Sequence, residues 1–233
     1  MRTKLNKLLG ILLVTIGLFA CTDSATNDSV KEDSLSSAVM TARYVLDTHY
    51  KAVNQVVDNE TDMIIVAEFF WYGCPHCEKF EAPLAKWEAG IADDVVLKRS
   101  PAVWNDAMVL HAKLFFIANA LDRQGDIHER LFKETIAIRA EKDLNVQQAH
   151  FAKVFSEYGL PEAEFEKQLV SFKVKGQAEN AIKLMRASGL TGTPSIVVNG
   201  KYLVITDAVS TASGIMDIAD HLIDQERTLR RKP

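Results

Sequence analysis

Four residues, Cys74-Pro75-His76-Cys77, constrain this chain more than any other stretch of its 233. Two thiols separated by two residues can close a small disulfide and open it again. The apolar run Ile64-Ile65-Val66-Ala67-Glu68-Phe69-Phe70 predicts a buried strand just before them, and Glu78 to Ile91 predicts a helix just after. A Cys-x-x-Cys at a strand-to-helix handover places the first thiol at the helix N-terminus. Unpaired backbone N–H groups and the helix dipole there favour thiolate over thiol. The pair therefore reads as redox-active.

The rest of the composition narrows the context. A chain that is 48% hydrophobic and 25% charged can bury a real core, and its net charge of -4 leaves no basic footprint for nucleic acid. Arg2, Lys4 and Lys7 precede an apolar run from Leu8 to Ala20, too short for a membrane span, so residues 1–20 read as a bacterial signal peptide. Leu18-Phe19-Ala20-Cys21 resembles a lipobox, in which Cys21 is the lipidation site and the first mature residue; simple secretion and an uncleaved anchor are the alternatives. The cysteine count of three is odd, and acylation of Cys21 would leave only the motif pair Cys74 and Cys77. Residues 21–37 are rich in Ser, Asp, Asn and Thr and read as a lipidated N-terminus with a flexible tether.

Beyond the tether the pattern alternates strands and helices. A first strand is expected over Tyr50 to Val57, carrying Val53, Val56 and Val57. The helix after the motif has Phe80, Leu84, Trp87 and Ile91 on one face, with Pro83 inside it expected to kink it. Val95-Val96-Leu97 begins the next strand, which ends near Lys98 to Pro101. From 105 to 188 the period becomes helical. Five helices are expected, with core stripes Met108, Ala112, Phe115, Ala118, Leu121; Ile127, Leu131, Ile136, Ile138; Val146, Phe151, Val154, Phe155, Tyr158; Phe165, Leu169, Phe172; and Ala178, Ile182, Met185. Gly159 and Gly189 stop the third and fifth, and Pro161 opens the fourth. Ser195 to Val204 around Asn199-Gly200 predicts a β-hairpin, and Val209 to Ile223 a last amphipathic helix. The order implies an α/β domain, residues 38–104 and 189–233, interrupted by an all-helical insertion at 105–188.

The stretches Glu68 to Cys77 and Gly192 to Tyr202, at either end of the helical block, resemble the DsbA-like thiol–disulfide oxidoreductases. These are thioredoxin-fold proteins with an inserted helical domain. The resemblance covers roughly residues 45 to 228 and, with the lipobox, points to the lipoprotein members. It implies a redox-active Cys74–Cys77 disulfide in place of any bound cofactor, with Cys74 the exposed nucleophile and Cys77 the buried resolving thiol. Pro194 is the implied cis-proline facing the disulfide, and Thr193 before it helps choose substrates. Glu68 is the implied buried acid; in an apolar strand it reads as a proton relay to Cys77 or as a satisfied structural acid, with Lys98 near the end of the next strand as a candidate partner. The implied substrates are reduced or unfolded exported proteins in a Gram-negative periplasm, with a DsbB-like quinone-linked membrane oxidase for reoxidation. Cys-Pro-His-Cys is the variant typical of oxidising members. Thr193 stands where many of those carry Val, which leaves isomerase direction open.

The residues support the oxidising chemistry. Pro75 suits the first helical turn, and the His76 ring, when protonated, is a second candidate donor to the Cys74 sulfur. The same thiols could form a static disulfide or half a zinc site, but zinc needs further ligands and His76 is too close to be an obvious third. Other functional readings are a disulfide reductase, a chaperone that grips unfolded chains, and a copper-delivery lipoprotein. His49, His111, His128, His150 and His221 receive no role.

Overall fold

The computed structural model describes residues 43–53, 62–121 and 124–231. The signal segment, Cys21, the tether, and Val56 and Val57 lie outside them. The elements run β1 (Tyr50–Ala52), β2 (Ile64–Phe70), α1 (Pro75–Glu88), β3 (Val95–Pro101), α2 (Asp106–Ala118), α3 (Gln124–Ala137), α4 (Leu144–Glu157), α5 (Glu162–Val170), α6 (Phe172–Ala187), β4 (Ser195–Val198), β5 (Tyr202–Val204) and α7 (Ala212–Arg231). One mixed sheet orders its strands β1-β5-β4-β2-β3. β2 pairs in parallel with β3 and antiparallel with β4.

β2 is central, which is why its sequence is almost continuously apolar: both faces must be covered. Ile64 and Val66 pack with Phe80 and Leu84 of α1 and with Met216, Ala219 and Leu222 of α7. On the other face Phe69 and Val197 meet Met108 and Ala112 of α2 and Ala178 and Met185 of α6. A third core joins Phe70, Tyr72, Cys74 and Cys77 to Leu114, Phe115, Leu131, Phe132, Phe151 and Phe165. Both cysteines thus pack on the helical block. The fold is a thioredoxin-type sheet with an inserted bundle of helices.

Local chemistry explains the boundaries. Asn199 and Gly200 have φ of 52° and 65°, the left-handed pair of a tight turn that the Lys201 N–H closes on the Val198 carbonyl. Asn105, Asp143 and Ser171 cap α2, α4 and α6 by accepting from the N–H of Met108, Asn145 and Val174. Gly159 and Gly189, with φ of 88° and 65°, follow the ends of α4 and α6. Helix α1 starts at Pro75 rather than Glu78, because Cys74 itself is the cap, and it continues across Pro83. It stops at Glu88, short of Ile91.

The predicted stripes fail at three points. Val146 and Phe172 are exposed, Phe172 to 93%. Both stand in first turns, where the chain enters the helix from the solvent side. In α3 the buried position is Thr135, with Ile136 only partly covered. Phe172→Ser should therefore change the unfolding free energy by no more than about 0.5 kcal/mol. Phe165→Ala, in a fully buried site of the same block, should cost about 3–5 kcal/mol. Urea titration of the two variants checks the pair.

Candidate active site

Cys74 is the N-cap of α1, with extended backbone (φ -98°, ψ 110°). Its Sγ accepts from the Cys77 N–H at 3.4 Å, and its carbonyl receives the N–H groups of Cys77 and Glu78. Pro75, at the first helical position, has no N–H to leave unpaired. The Thr193–Pro194 bond is cis. The Thr193 carbonyl faces the first sulfur and accepts from the Cys74 thiol at 3.4 Å. A groove of about 770 Å³ opens beside these residues, lined in part by His76, Phe80, Gly192, Thr193, Pro194 and Ile215.

The two thiols are free and lie in opposite surroundings. The Cys74 pKa is lowered to about 5, first by a hydrogen bond from the Cys77 thiol. The Thr193 hydroxyl and the backbone N–H groups of Cys77 and His76 lower it further, against the opposing effect of burial. Cys77 is fully buried, and desolvation pushes its pKa well up. His76 is exposed, and its backbone N–H is among the groups that lower the Cys74 pKa.

The comparisons with known proteins agree with this geometry. The family described as DSBA-like thioredoxin domain matches residues 92–221. A thiol:disulfide interchange protein DsbA of Azotobacter vinelandii is 32% identical over 222 residues, 95% of this chain and 97% of that protein. The crystal structure of Pseudomonas aeruginosa DsbA superposes with a TM-score of 0.73 at 31% identity, covering 82% of this chain and 98% of that one. That of the oxidoreductase DsbA from Xylella fastidiosa gives 0.71 at 26% identity, covering 79% and 98%. The chain belongs to the DsbA-like family.

Around this family's motif the chain builds two supports; the sequence reading missed the first and, of the second, named only Glu68. Trp71 packs flat over Gly73, where an added Cβ would lie 2.3 Å from the ring. The indole N–H donates to His111 Nδ1 at 2.8 Å, and His111 Nε2 in turn meets Gln147 Oε1 at 3.1 Å. Burial lowers the His111 pKa to about 4, so the ring stays neutral and its tautomer is set by these two partners. An aromatic residue two before a glycine, next to the motif, was the available signal for this clasp.

The second support is a cluster around Glu68. Glu68 is buried at 0% exposure, and its carboxylate is 3.5 Å from Arg99 Nε. Lys98 is not its partner. In the parallel ladder Glu68 registers with Arg99 and Lys98 with Ala67, so Lys98 faces the opposite side of the sheet. Arg99 also meets Glu81 at 3.4 Å and Glu88 at 3.2 Å. One guanidinium cannot neutralise three carboxylates. Burial first, and then the Glu81 charge, raises the Glu68 pKa well above the carboxylate range. Tyr72 and His128 complete the cluster through a 2.7 Å hydrogen bond.

The order of these effects on Cys74 yields a test. Cys77→Ala removes the largest lowering influence, so the Cys74 titration midpoint should rise from about 5 toward the ordinary thiol range. Thiolate absorbance against pH, with alkylation rates as a second readout, measures it.

Proposed function

We propose that this thiol–disulfide oxidoreductase works in the oxidising direction, donating a Cys74–Cys77 disulfide to reduced exported proteins. The observation that carries the reading is the opposed tuning of the two thiols. Cys74 near pKa 5 is a good leaving group and a stable thiolate. Cys77, buried, resists ionisation. A substrate thiolate attacks Cys74, Cys77 departs and takes a proton, and a mixed disulfide forms. The second substrate thiolate then attacks the substrate sulfur of that bond, and Cys74 leaves as thiolate. Two substrate thiols become one disulfide, and the protein keeps both electrons as a dithiol. Thr193 and Pro194 receive the substrate backbone beside the sulfur. The Thr193 hydroxyl lowers the Cys74 pKa, which supports the oxidising direction over isomerisation. Pro75 and His76 serve by presenting backbone at the helix start.

The magnitudes support an oxidant. Lowering a thiol from about 8.5 to about 5 stabilises the folded reduced form by about 3 kcal/mol at pH 7, or about 60 mV in a two-electron couple. The sign over pH follows from a depressed pKa. The stabilisation is full above the unfolded value near 8.5 and is lost as pH falls through 5. The disulfide closes a loop of only four residues, worth about 2 kcal/mol through the unfolded chain. The reduced protein should therefore be the more stable form at pH 7 and the less stable one at pH 5. Urea midpoints of both forms at the two pH values test this; an oxidised form that stays more stable throughout would remove the oxidase reading.

The setting is the bacterial periplasm, with Cys21 as a lipid anchor, residues 22–37 as tether, and a DsbB-like membrane oxidase restoring the disulfide. The leader pattern and family membership support this. Mass spectrometry of protein from its native host should find the mature N-terminus at Cys21 with acyl mass attached. A mature form that begins elsewhere would end the lipoprotein assignment.

A further inference from the structure

We infer that the groove beside Cys74 selects acidic segments of its substrate chains, and that Lys51 and Lys79 make the choice. The inference rests on the oxidase reading above and names the substrate class of that same site. A substrate thiolate that attacks Cys74 brings its own flanking residues with it. Those residues must lie over the surface next to the sulfur. The surface available is the groove of about 770 Å³ that holds Thr193 and Pro194. Its walls come from separate parts of the chain. Helix α1 gives His76, Lys79 and Phe80, the approach to β4 gives residues 191–195, and β5 with the segment after it gives side chains between 203 and 215. Lys51 adds a contribution from the edge strand β1.

What a visiting chain meets there is decided by the rim. Phe80, Val204 and Ile215 form an apolar floor that is already buried. The rim carries the hydroxyls of Thr191, Thr193, Thr206 and Ser210. A hydroxyl both donates and accepts, so it does not sort substrates by charge. The charged side chains do. Among the described residues that line the groove they are Lys51, Lys79 and Asp207, with His76 as the remaining titratable group. Both lysines are exposed, and neither has a hydrogen bond or ion pair to another described residue. In a chain whose 31 acids outnumber its 27 lysines and arginines, a groove with two cations to one anion departs from the rest of the molecule. Its field attracts carboxylates and repels ammonium groups.

The two cations come from different walls. Lys79 follows His76 by three residues, so it shares that side of α1, one turn beyond the motif. Lys51 registers with Leu203 of β5, and Leu203 registers with Val197 of β4, the strand that Pro194 leads into. An acidic segment held at Cys74 and Pro194 therefore has a lysine on the helix side and another on the sheet side. Exposed pairs of this kind are weak, each contributing about fivefold at most, and salt screens them. Weakness suits a catalyst. The pairs bias which chain is oxidised without holding the product after Cys74 has left it.

The test is single-turnover oxidation of three dithiol peptides by the oxidised full-length protein at one pH. The peptides differ only at the positions flanking their cysteines, which are all Glu, all Ser or all Lys. Each rate is divided by that peptide's rate with glutathione disulfide, which removes the effect of flanking charge on the peptide thiols themselves. The normalised rate of the Glu peptide should exceed that of the Lys peptide by about tenfold at low salt and approach parity near about 1 M salt. Lys51→Glu combined with Lys79→Glu should reverse the order, and Lys51→Arg combined with Lys79→Arg should preserve it. A purely structural role for the lysines would slow all three peptides alike and invert nothing. Equal normalised rates in the wild type would overturn the inference, and so would an acidic preference that survives the double charge reversal. A wild type that oxidises none of the peptides would remove the oxidase reading itself. One that oxidises all three equally would leave that reading standing and remove only the selectivity.

Discussion

The unequal treatment of two sulfurs is the constraint on which the rest of this structure depends. Both are largely withdrawn from water, and withdrawal alone raises a thiol pKa. Cys74 escapes that outcome because it is a helix cap, so backbone N–H groups, the Cys77 thiol and the Thr193 hydroxyl all reach its sulfur. Cys77, one turn into the same helix, meets the aromatic and aliphatic side chains of the inserted block. The insertion is therefore part of the site's electrostatics. Without Leu114, Phe115, Phe132 and their neighbours, Cys77 would be wetter and its thiolate less costly. The clasp from Trp71 through His111 to Gln147 ties the strand-to-helix handover to α2 and α4, holding that difference in place.

Much of the fold was legible because few alternatives could satisfy the same residues. β2 reads as a strand with no polar face, which only a central position can use. Asn199-Gly200 reads as a hairpin because both residues tolerate the left-handed backbone found there. The helical block was legible as a count of helices and their stops. It was less legible as packing. Hydrophobicity favoured Ile136 over Thr135, yet the spacing from Ile127 and Leu131 carries the buried stripe to Thr135, at 1% exposure. Phe172 shows the complementary failure. An aromatic at helical spacing from Leu169 belongs to a new helix once Ser171 caps it, and its direction resets.

The motif was legible as a local pattern, and its surroundings were not, since they assemble from distant elements. Glu68 was visible as an anomalous acid in an apolar strand. Its partner depended on register, and a shift of one residue moves a side chain to the opposite face. Lys98 and Arg99 are adjacent cations, and only the ladder distinguishes them. Glu81 was within reach of sequence reasoning, being four residues after Cys77. Tyr72 and His128 were not, because their contact joins residues 56 apart in the chain.

The acid cluster and the thiol pair are two forms of one electrostatic solution. Burial is the main reason that Cys77 keeps its proton. Three carboxylates share one arginine, so Arg99 accompanies Glu81 and Glu88 at the rim while burial and the Glu81 charge raise the pKa of the deepest acid. A lone buried lysine in place of Arg99 could pair with one acid but not gather three. What looks from the sequence like an excess of acid near a redox motif is a cluster of carboxylates gathered on one arginine.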